Sequence, residues 1–126
     1  MKEDIWFVDD DLTFRYIIKR FLQNSSYEQR IKHFDDGDIA MLAIINAARS
    51  GAAPKLIFLD LNMKYLEGWQ MLDLLNEFDR SLNVIILSSS LNPKDIERAK
   101  NEPLVKEFIS KPIDKETIKQ KIEQYG

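Results

Sequence analysis

The sequence contains no cysteine and a single histidine, His33, among its 126 residues. The first absence excludes a disulfide, a thiolate metal site and a cysteine nucleophile, and the second excludes a metal site built from several histidines. No apolar run approaches the roughly 20 residues of a membrane span, and the N-terminus lacks the apolar stretch of a signal peptide. We therefore expect a soluble, cytoplasmic protein that does not interact with membranes.

An excess of charge of one sign is also missing. The 18 basic and 21 acidic residues leave a net charge of −3, which gives no basic footprint for binding nucleic acid. Glycine and proline number only four each, and no linker or internal repeat divides the chain. Hydrophobic residues make up 44%, enough for a buried core, so we expect one domain over residues 1–126.

Short apolar runs alternate with segments of helical period. The runs cover residues 5–8, 31–34, 56–59, 84–87 and 105–109. Three of them are nearly continuous, as in strands that are buried on both faces, whereas the run at 31–34 is interrupted and fits an edge strand. Five strand–helix alternations predict an α/β fold, a doubly wound parallel sheet with helices on both faces.

The helical segments show apolar residues at three- and four-residue spacing. In the second segment, Ile39, Leu42, Ala43 and Ala47 form the stripe that we expect to face the core. The fourth segment, roughly 93–101, is short and has few apolar residues. Helix starts are indicated by capping residues, namely Asp36, Asn92 and Asp114.

Polar residues follow four of the predicted strands. In an open α/β sheet, the site lies beyond the carboxyl ends of the strands, so these residues are expected to converge there. They are Asp9, Asp10 and Asp11 after the first strand, Asp60 after the third, Ser88, Ser89 and Ser90 after the fourth, and Ser110, Lys111 and Pro112 after the fifth.

The predicted cluster suits phosphoryl chemistry. Several carboxylates close together repel one another and favour a hard cation such as Mg²⁺. A carboxylate beside that ion can act as a nucleophile toward a phosphoryl group, whose charge the ion and a lysine would offset. Each residue taken alone could also have a purely structural role, since Asp11 fits a helix N-cap and Asp60 fits a turn. Their joint placement at four strand ends favours a functional site.

These residues resemble the receiver domain of two-component response regulators along essentially the whole chain. The motifs that carry the resemblance are residues 7–11 (FVDDD), residues 59–63 (LDLNM) followed by Gly68, residues 86–89 (ILSS) and residues 111–112 (KP). The resemblance implies a flavodoxin-like (βα)5 fold with strand order 2-1-3-4-5.

The resemblance also implies site roles. Asp60 matches the phosphoacceptor, and Asp9 and Asp10 match the acidic pair that binds Mg²⁺ together with Asp60 and the backbone carbonyl of Asn62. Ser88 and Lys111 match the hydroxyl and the lysine that contact the phosphoryl group, with Ser89 as an alternative to Ser88.

Two further positions match the family's switch residues. Phe108 matches its aromatic switch position, and Pro112 matches a proline that follows a cis peptide bond. The sequence departs from the family at Lys64, where proline is usual, and at residues 102–104, which replace a Gly-Ala pair.

Three functions follow from these observations. The first is a receiver that takes a phosphoryl group from a histidine kinase or phosphotransfer protein. It would signal to an unknown target by protein contact or phosphorelay, as a monomer or a phosphorylation-dependent dimer. If the 126 residues are the full-length protein, no output domain is attached. Apart from reactions on itself, such a receiver is not an enzyme.

The second function is a small phosphohydrolase with Asp60 as its nucleophile, although Asn62 stands where such enzymes carry a second acid. The third is a receiver-like binding module that no longer takes phosphate. A nucleotide-binding domain is disfavoured because acidic residues, rather than a Gly-rich loop, follow the first strand.

Overall fold

A computed structural model describes residues 3–63, 67–78 and 81–126 of the chain. It contains a five-stranded parallel sheet in the order β2-β1-β3-β4-β5. The strands are β1 (Ile5–Val8), β2 (Ile31–Phe34), β3 (Leu56–Asp60), β4 (Asn83–Ser88) and β5 (Val105–Ser110). The predicted fold class and strand order are confirmed, and β2 is an edge strand as expected.

Within the described residues, five α-helices connect or follow the strands. They are α1 (Leu12–Leu22), α2 (Gly37–Ser50), α3 (Gly68–Phe78), α4 (Pro93–Lys100) and α5 (Lys115–Tyr125). The side chain that precedes a helix accepts hydrogen bonds from backbone N–H groups of the first turn at four of these starts: Asp11, Asp36, Asn92 and Asp114. Each of these caps satisfies donors that have no partner inside the helix.

Two apolar layers hold the helices on the sheet. On one face, α1 and α5 pack against alternate strand residues such as Phe7 and Phe58, whose rings stack with centroids 4.4 Å apart. On the other face, α2, α3 and α4 cover Val8, Leu59 and Ile86. Because both faces are covered, the central strands are apolar at nearly every position, which is why they read as continuous runs.

The expected core stripe of α2 is partly wrong: Ala43 and Ala47 pack against the core, but Ile39 and Leu42 do not. Ile39 and Leu42 are 55% and 63% exposed, whereas Ala40, Met41 and Ile44 are buried against the sheet. Helix α2 is apolar on nearly every side between residues 39 and 45, so the spacing of its residues does not select one face. The contact with the sheet decides the orientation and leaves Ile39 and Leu42 in solvent.

A buried ion pair lies at the amino end of the sheet. Asp4, directly before β1, is 5% exposed, and Arg30 donates two hydrogen bonds to it, from Nε at 2.8 Å and from Nη2 at 3.2 Å. Burial opposes ionisation of this carboxyl, but the hydrogen bonds and charge of Arg30 hold the pKa of Asp4 below its usual value. The pair joins β1 to the start of β2.

His33 lies in the edge strand β2, and its ring stacks on Phe7 with centroids 5.5 Å apart. Burial, together with the nearby charges of Arg15 and Lys19, lowers the pKa of His33 to about 4. The imidazole is therefore neutral near pH 7 and serves as a packing residue. None of the helices among the described residues has the length and apolar character that crossing a bilayer requires.

Candidate functional site

Three carboxylates meet at the carboxyl ends of the neighbouring strands β1 and β3. Asp9 follows β1 and Asp60 is the last residue of β3, and Val8 of β1 lies opposite Leu59 of β3 in the sheet. Carboxylate oxygens of Asp9, Asp10 and Asp60 all lie within 4.8 Å of one another. The predicted convergence of these residues is therefore present, and it follows from the pairing of β1 with β3.

Asp9 is the most constrained of the three carboxylates. It is 5% exposed, its Oδ1 accepts the backbone N–H of Asp11 at 2.8 Å, and its Oδ2 accepts Nζ of Lys111 at 2.6 Å. Burial, with the nearby charge of Asp60, raises the pKa of Asp9 to about 6, although Lys111 and the Asp11 amide act in the opposite direction. Ionisation of the Asp9 carboxyl is therefore less favourable at this position than it is in water.

Asp60 occupies a similar environment. It is 6% exposed, and its Oδ1 accepts the backbone N–H of Asn62 at 3.2 Å. Burial raises the pKa of Asp60, and the charges of Asp10 and Asp11 add to this effect, while Lys111 and the Asn62 amide counter it. Two buried carboxylates with raised pKa values beside a third acid favour a cation at this point.

Lys111 supplies one cation from the end of β5. Its backbone N–H donates to the carbonyl of Ser88 at 2.8 Å, and its Nζ lies 4.3 Å from the centroid of the Phe14 ring. The Lys111–Pro112 peptide bond is cis, as the resemblance implied. The ammonium group therefore bonds to Asp9 and rests on an aromatic face that sequence reasoning did not connect with it.

Ser88 ends β4 and is fully buried, while Ser89 is exposed. Leu87 of β4 lies opposite Asp60 of β3, so Ser88 stands one residue beyond the carboxylate on the neighbouring strand. Its Oγ accepts the backbone N–H of Ser90 at 3.0 Å. Of the two serines considered, Ser88 is the one that is buried at the end of β4, and its role stays a prediction.

The loop after β3 approaches the site through its backbone. The side chain of Asn62 is exposed, whereas its backbone N–H donates a hydrogen bond to Oδ1 of Asp60. Gly68 begins α3 and donates its N–H to the carbonyl of Leu61 at 3.0 Å. A Cβ at this position would lie 2.6 Å from the carbonyl oxygen of Asp60, so only glycine fits. Lys64, expected to alter this loop, lies outside the described residues.

Two of the predicted switch residues lie in or just after β5: Phe108 within the strand and Pro112 beyond its end. Phe108 is half-buried opposite Ile86 and packs against the apolar layer of α2, α3 and α4. Its neighbour Ile109 faces the opposite layer. Pro112 is exposed just beyond the strand. The structure thus brings Phe108 to the face of the sheet that carries α4, and it leaves the switching role as a prediction.

Trp69 connects the site to α4 in a way that the sequence reading missed. Its indole N–H donates to Asp95 at 3.1 Å, and the Arg98 guanidinium lies 4.5 Å from its ring centroid. Arg98 also bonds to Asp73 of α3 and to Glu102. A sequence signal existed: a helix with so few apolar residues needs another means of attachment, and a tryptophan directly follows Gly68.

The chain belongs to the response regulator receiver domain family, whose model matches residues 5–123. This membership confirms the predicted resemblance, and members of the family serve as signalling phosphoacceptor domains that bind Mg²⁺ through acidic residues. No curated protein sequence matches the chain significantly.

Solved structures agree with the family over nearly the full length. A two-component response regulator from Cytophaga hutchinsonii is 25% identical with a TM-score of 0.80, covering 98% of this chain and 97% of that one. The receiver domain of NtrX from Brucella abortus is 27% identical with a TM-score of 0.78, covering 96% of each. The phosphorylated cyanobacterial phytochrome response regulator RcpA is 25% identical with a TM-score of 0.77, covering 98% of this chain and 91% of that one.

Proposed function

We propose that this receiver accepts a phosphoryl group on Asp60 in a Mg²⁺-dependent reaction and signals through the resulting change of shape. The observation that carries the proposal is the buried Asp60 carboxylate, which lies within 4.8 Å of Asp9 and Asp10. The phosphorylated state of the similar RcpA protein supports it, because that relative shares the fold over 98% of this chain.

The donor set suits a magnesium ion. Asp9, Asp10 and Asp60 offer hard oxygen atoms, and the backbone carbonyl of Asn62 lies two residues beyond Asp60. Burial raises the pKa values of Asp9 and Asp60 although Lys111 acts to lower both, so a further cation beside them would favour their ionised forms. When bound, Mg²⁺ would neutralise that charge and hold oxygens of the incoming phosphoryl group.

The chemical step is a displacement at phosphorus. A carboxylate oxygen of Asp60 attacks the phosphorus of a phosphohistidine on a kinase or phosphotransfer protein, or that of a small phosphodonor. A P–O bond forms to Asp60 as the P–N bond breaks, and the histidine nitrogen retains the electron pair and takes up a proton. The burial of Asp60 limits access of water to the product.

Lys111 and Ser88 are expected to respond to the new charge. Phosphorylation adds about −1.5 to −2 charge and strong acceptor oxygens beside the ammonium group. Before phosphorylation, Nζ of Lys111 donates a hydrogen bond to Asp9 at 2.6 Å, and it would turn toward the phosphoryl group. The Ser88 hydroxyl, which accepts the backbone N–H of Ser90, would instead donate to a phosphoryl oxygen. Phe108 would then occupy space that Ser88 vacates, with Pro112 holding the end of β5 in place.

We propose the cytoplasm as the site of action, with a histidine kinase or phosphotransfer protein as donor and a protein as target. The signal would pass by phosphorylation-dependent contact or phosphorelay, from a single receiver domain over residues 1–126. Water attack at phosphorus would return Asp60 to its free state, so the expected self-reactions are phosphorylation and dephosphorylation. The oligomeric state, either a monomer or a phosphorylation-dependent dimer, stays a prediction.

The deciding experiment is intact mass spectrometry after incubation with acetyl phosphate. We expect one added phosphoryl group per chain with Mg²⁺ and none with excess chelator. Asp60→Asn should abolish the addition. Asp36→Asn is the matched control, because Asn caps a helix as well as Asp does and Asp36 lies outside the carboxylate cluster. Equal labelling of Asp60→Asn would refute the acceptor assignment.

A protein donor would reach the site across the start of α1. Leu12 directly follows the cap residue Asp11 and is 65% exposed, and Tyr16, one turn later, is 62% exposed. These side chains offer an apolar contact beside the carboxylates. Leu12→Ser should slow transfer from a phosphohistidine protein and leave labelling by acetyl phosphate unchanged. A loss of both activities would show that Leu12 supports the site itself and not donor binding.

A further inference from the structure

Helix α2 carries an exposed stripe that is complementary to itself. Along one side of the helix lie Asp38, Ile39, Leu42 and Arg49, and Ile45 borders them, half-buried. Single exposed apolar residues are ordinary, but here two large ones lie one turn apart between an acidic start and a basic end. We call these five residues the α2 stripe.

We propose that the α2 stripe binds the same stripe of a second copy of this chain, with the two helices antiparallel about a two-fold axis. With the axis between Ala43 and Ile44, Asp38 lies opposite the partner's Arg49. Leu42 then lies opposite the partner's Ile45. The two-fold symmetry repeats each contact, so one surface satisfies both sides of the interface.

The charges favour the antiparallel arrangement. Asp38 stands in the first turn of α2 and Arg49 in the last, and no ion pair within the described ranges uses either side chain. A parallel pair would place acid against acid and align the helix dipoles. The antiparallel pair brings opposite charges together at both ends and opposes the dipoles.

The fold leaves the stripe available. Burial of Ala40, Met41 and Ile44 against the sheet turns Ile39 and Leu42 outward, at 55% and 63% exposure. The patch is small, so the expected dimer is weak and reversible, below the size class of stable interfaces of roughly 1,200 Å² or more. The stripe lies on a different element from Asp60, so self-association should not require phosphorylation.

A charge exchange tests the pairing directly. In sedimentation velocity up to about 1 mM protein, the wild type should shift reversibly toward a dimer. Asp38→Arg and Arg49→Asp should each weaken association roughly tenfold or more, because each places like charges together twice. An equimolar mixture of the two variants should recover it, since the mixed dimer restores both opposite-charge contacts. The double variant D38R/R49D should also associate.

The apolar part has a matched control. Leu42→Ser should abolish association, whereas Leu91→Ser, at a residue that is 66% exposed in the loop before α4, should leave it intact. Asp60→Asn should associate as the wild type does. Because all these side chains but that of Asp60 are exposed, circular dichroism should show an unchanged fold. A wild type that stays monomeric at about 1 mM overturns the proposal.

Three other outcomes would also overturn it: insensitivity to Leu42→Ser, sensitivity to Leu91→Ser, or failure of the mixture to recover association. Dimerisation seen only with acetyl phosphate and Mg²⁺ would assign the dimer to the phosphorylated state and to another surface. That result would leave the acceptor role of Asp60 intact, so the two proposals fail independently.

Discussion

Two aspartates at opposite ends of β1 have the same exposure and opposite electrostatic character. Asp4 and Asp9 are each 5% exposed, and each accepts side-chain hydrogen bonding from one basic residue, Arg30 and Lys111 respectively. The pKa of Asp4 lies below its usual value, whereas burial raises the pKa of Asp9 to about 6. The pair at the amino end of the sheet is electrostatically satisfied, and the pair at the carboxyl end is not.

Depth of burial and neighbouring charges together explain the difference, because Asp9 lies deeper among protein atoms than Asp4 and burial is the largest influence on its pKa. Asp4 accepts two hydrogen bonds from the rigid fork of Arg30, and Lys55 adds a third nitrogen at 3.9 Å. Among the described residues, the ammonium group of Lys111 acts on both Asp9 and Asp60, and the charge of Asp60 opposes ionisation of Asp9. Burial with sufficient counter-charge makes a structural pair. Burial without it makes a site that is prepared for a cation or a change of protonation.

The largest expected effect is at the satisfied pair. Arg30→Met leaves Asp4 buried without its main partner and should lower the free energy of unfolding by about 3 kcal/mol in urea denaturation. Lys55→Met is the matched control, because Lys55 is 62% exposed and its loss should cost at most about 1 kcal/mol. Equal effects of the two variants would contradict the structural role of the Arg30 pair.

Substitution of a glycine near each end of the sheet should destabilise the protein for a different reason, and only one of the two substitutions should affect labelling. Gly68→Ala sets a Cβ 2.6 Å from the Asp60 carbonyl oxygen and should cost about 2 kcal/mol while slowing labelling by acetyl phosphate. Gly51→Ala, at φ 71° after α2, meets no atom within 4 Å and should cost about 1 kcal/mol through backbone strain alone. Labelling by the second variant should be unchanged, and a slowed rate there would contradict the distinction.

Removal of one charge from the unsatisfied pair should stabilise the protein. At pH 7.5 without divalent ions, Asp9→Asn should raise the free energy of unfolding by about 1–2 kcal/mol, because it relieves the cost of an ionised, buried Asp9 beside Asp60. Added Mg²⁺ should stabilise the wild type and leave the variant nearly unchanged. Urea titrations with and without Mg²⁺ measure both effects. A destabilised variant in chelator would count against the crowding of carboxylates.

The smallest effect is the pH dependence of stability. Between about pH 4 and 6 the folded protein retains a proton on Asp9, because its pKa is about 6 and not 3.8, so the contribution of Asp9 to stability falls by about 1 kcal/mol or more as pH rises. His33 acts in the opposite sense over this range, because its pKa is lowered to about 4 and its contribution rises with pH. The share of Asp9 is therefore measured as the stability of the wild type minus that of Asp9→Asn, a difference that should fall as pH rises, because His33 is present in both proteins. Asp60, whose pKa is also raised, adds a share of the same sign as that of Asp9. Urea midpoints across this range provide the measurement.

The pKa of Asp4 is lowered, so its contribution has the opposite sign. It should stabilise the protein above pH 3.8 and be lost as the pH falls further. Arg30→Met should remove this acid-labile share. If the stability of the wild type minus that of Asp9→Asn rises from pH 4 to 7 without divalent ions, the predicted sign at Asp9 is reversed.

Much of the architecture was predictable because it depends on local patterns. Continuous apolar runs indicate strands covered on both faces, and the capping residues Asp11, Asp36, Asn92 and Asp114 begin helices where expected. Helix α2 shows the limit of this reading. Its apolar residues surround the helix, so spacing alone assigned Ile39 and Leu42 to the core when they lie in solvent.

The sequence by itself determined the strand–helix alternation, and with it the meeting of Asp9, Asp10 and Asp60 at one end of the sheet. Right-handed crossovers between parallel strands leave little freedom in where strand ends fall. Only the tertiary structure decided that Lys111 bonds to Asp9, that Trp69 holds α4 through Asp95, and that α2 exposes its stripe. Those contacts join side chains from separate elements, and their distances depend on packing that no local pattern encodes.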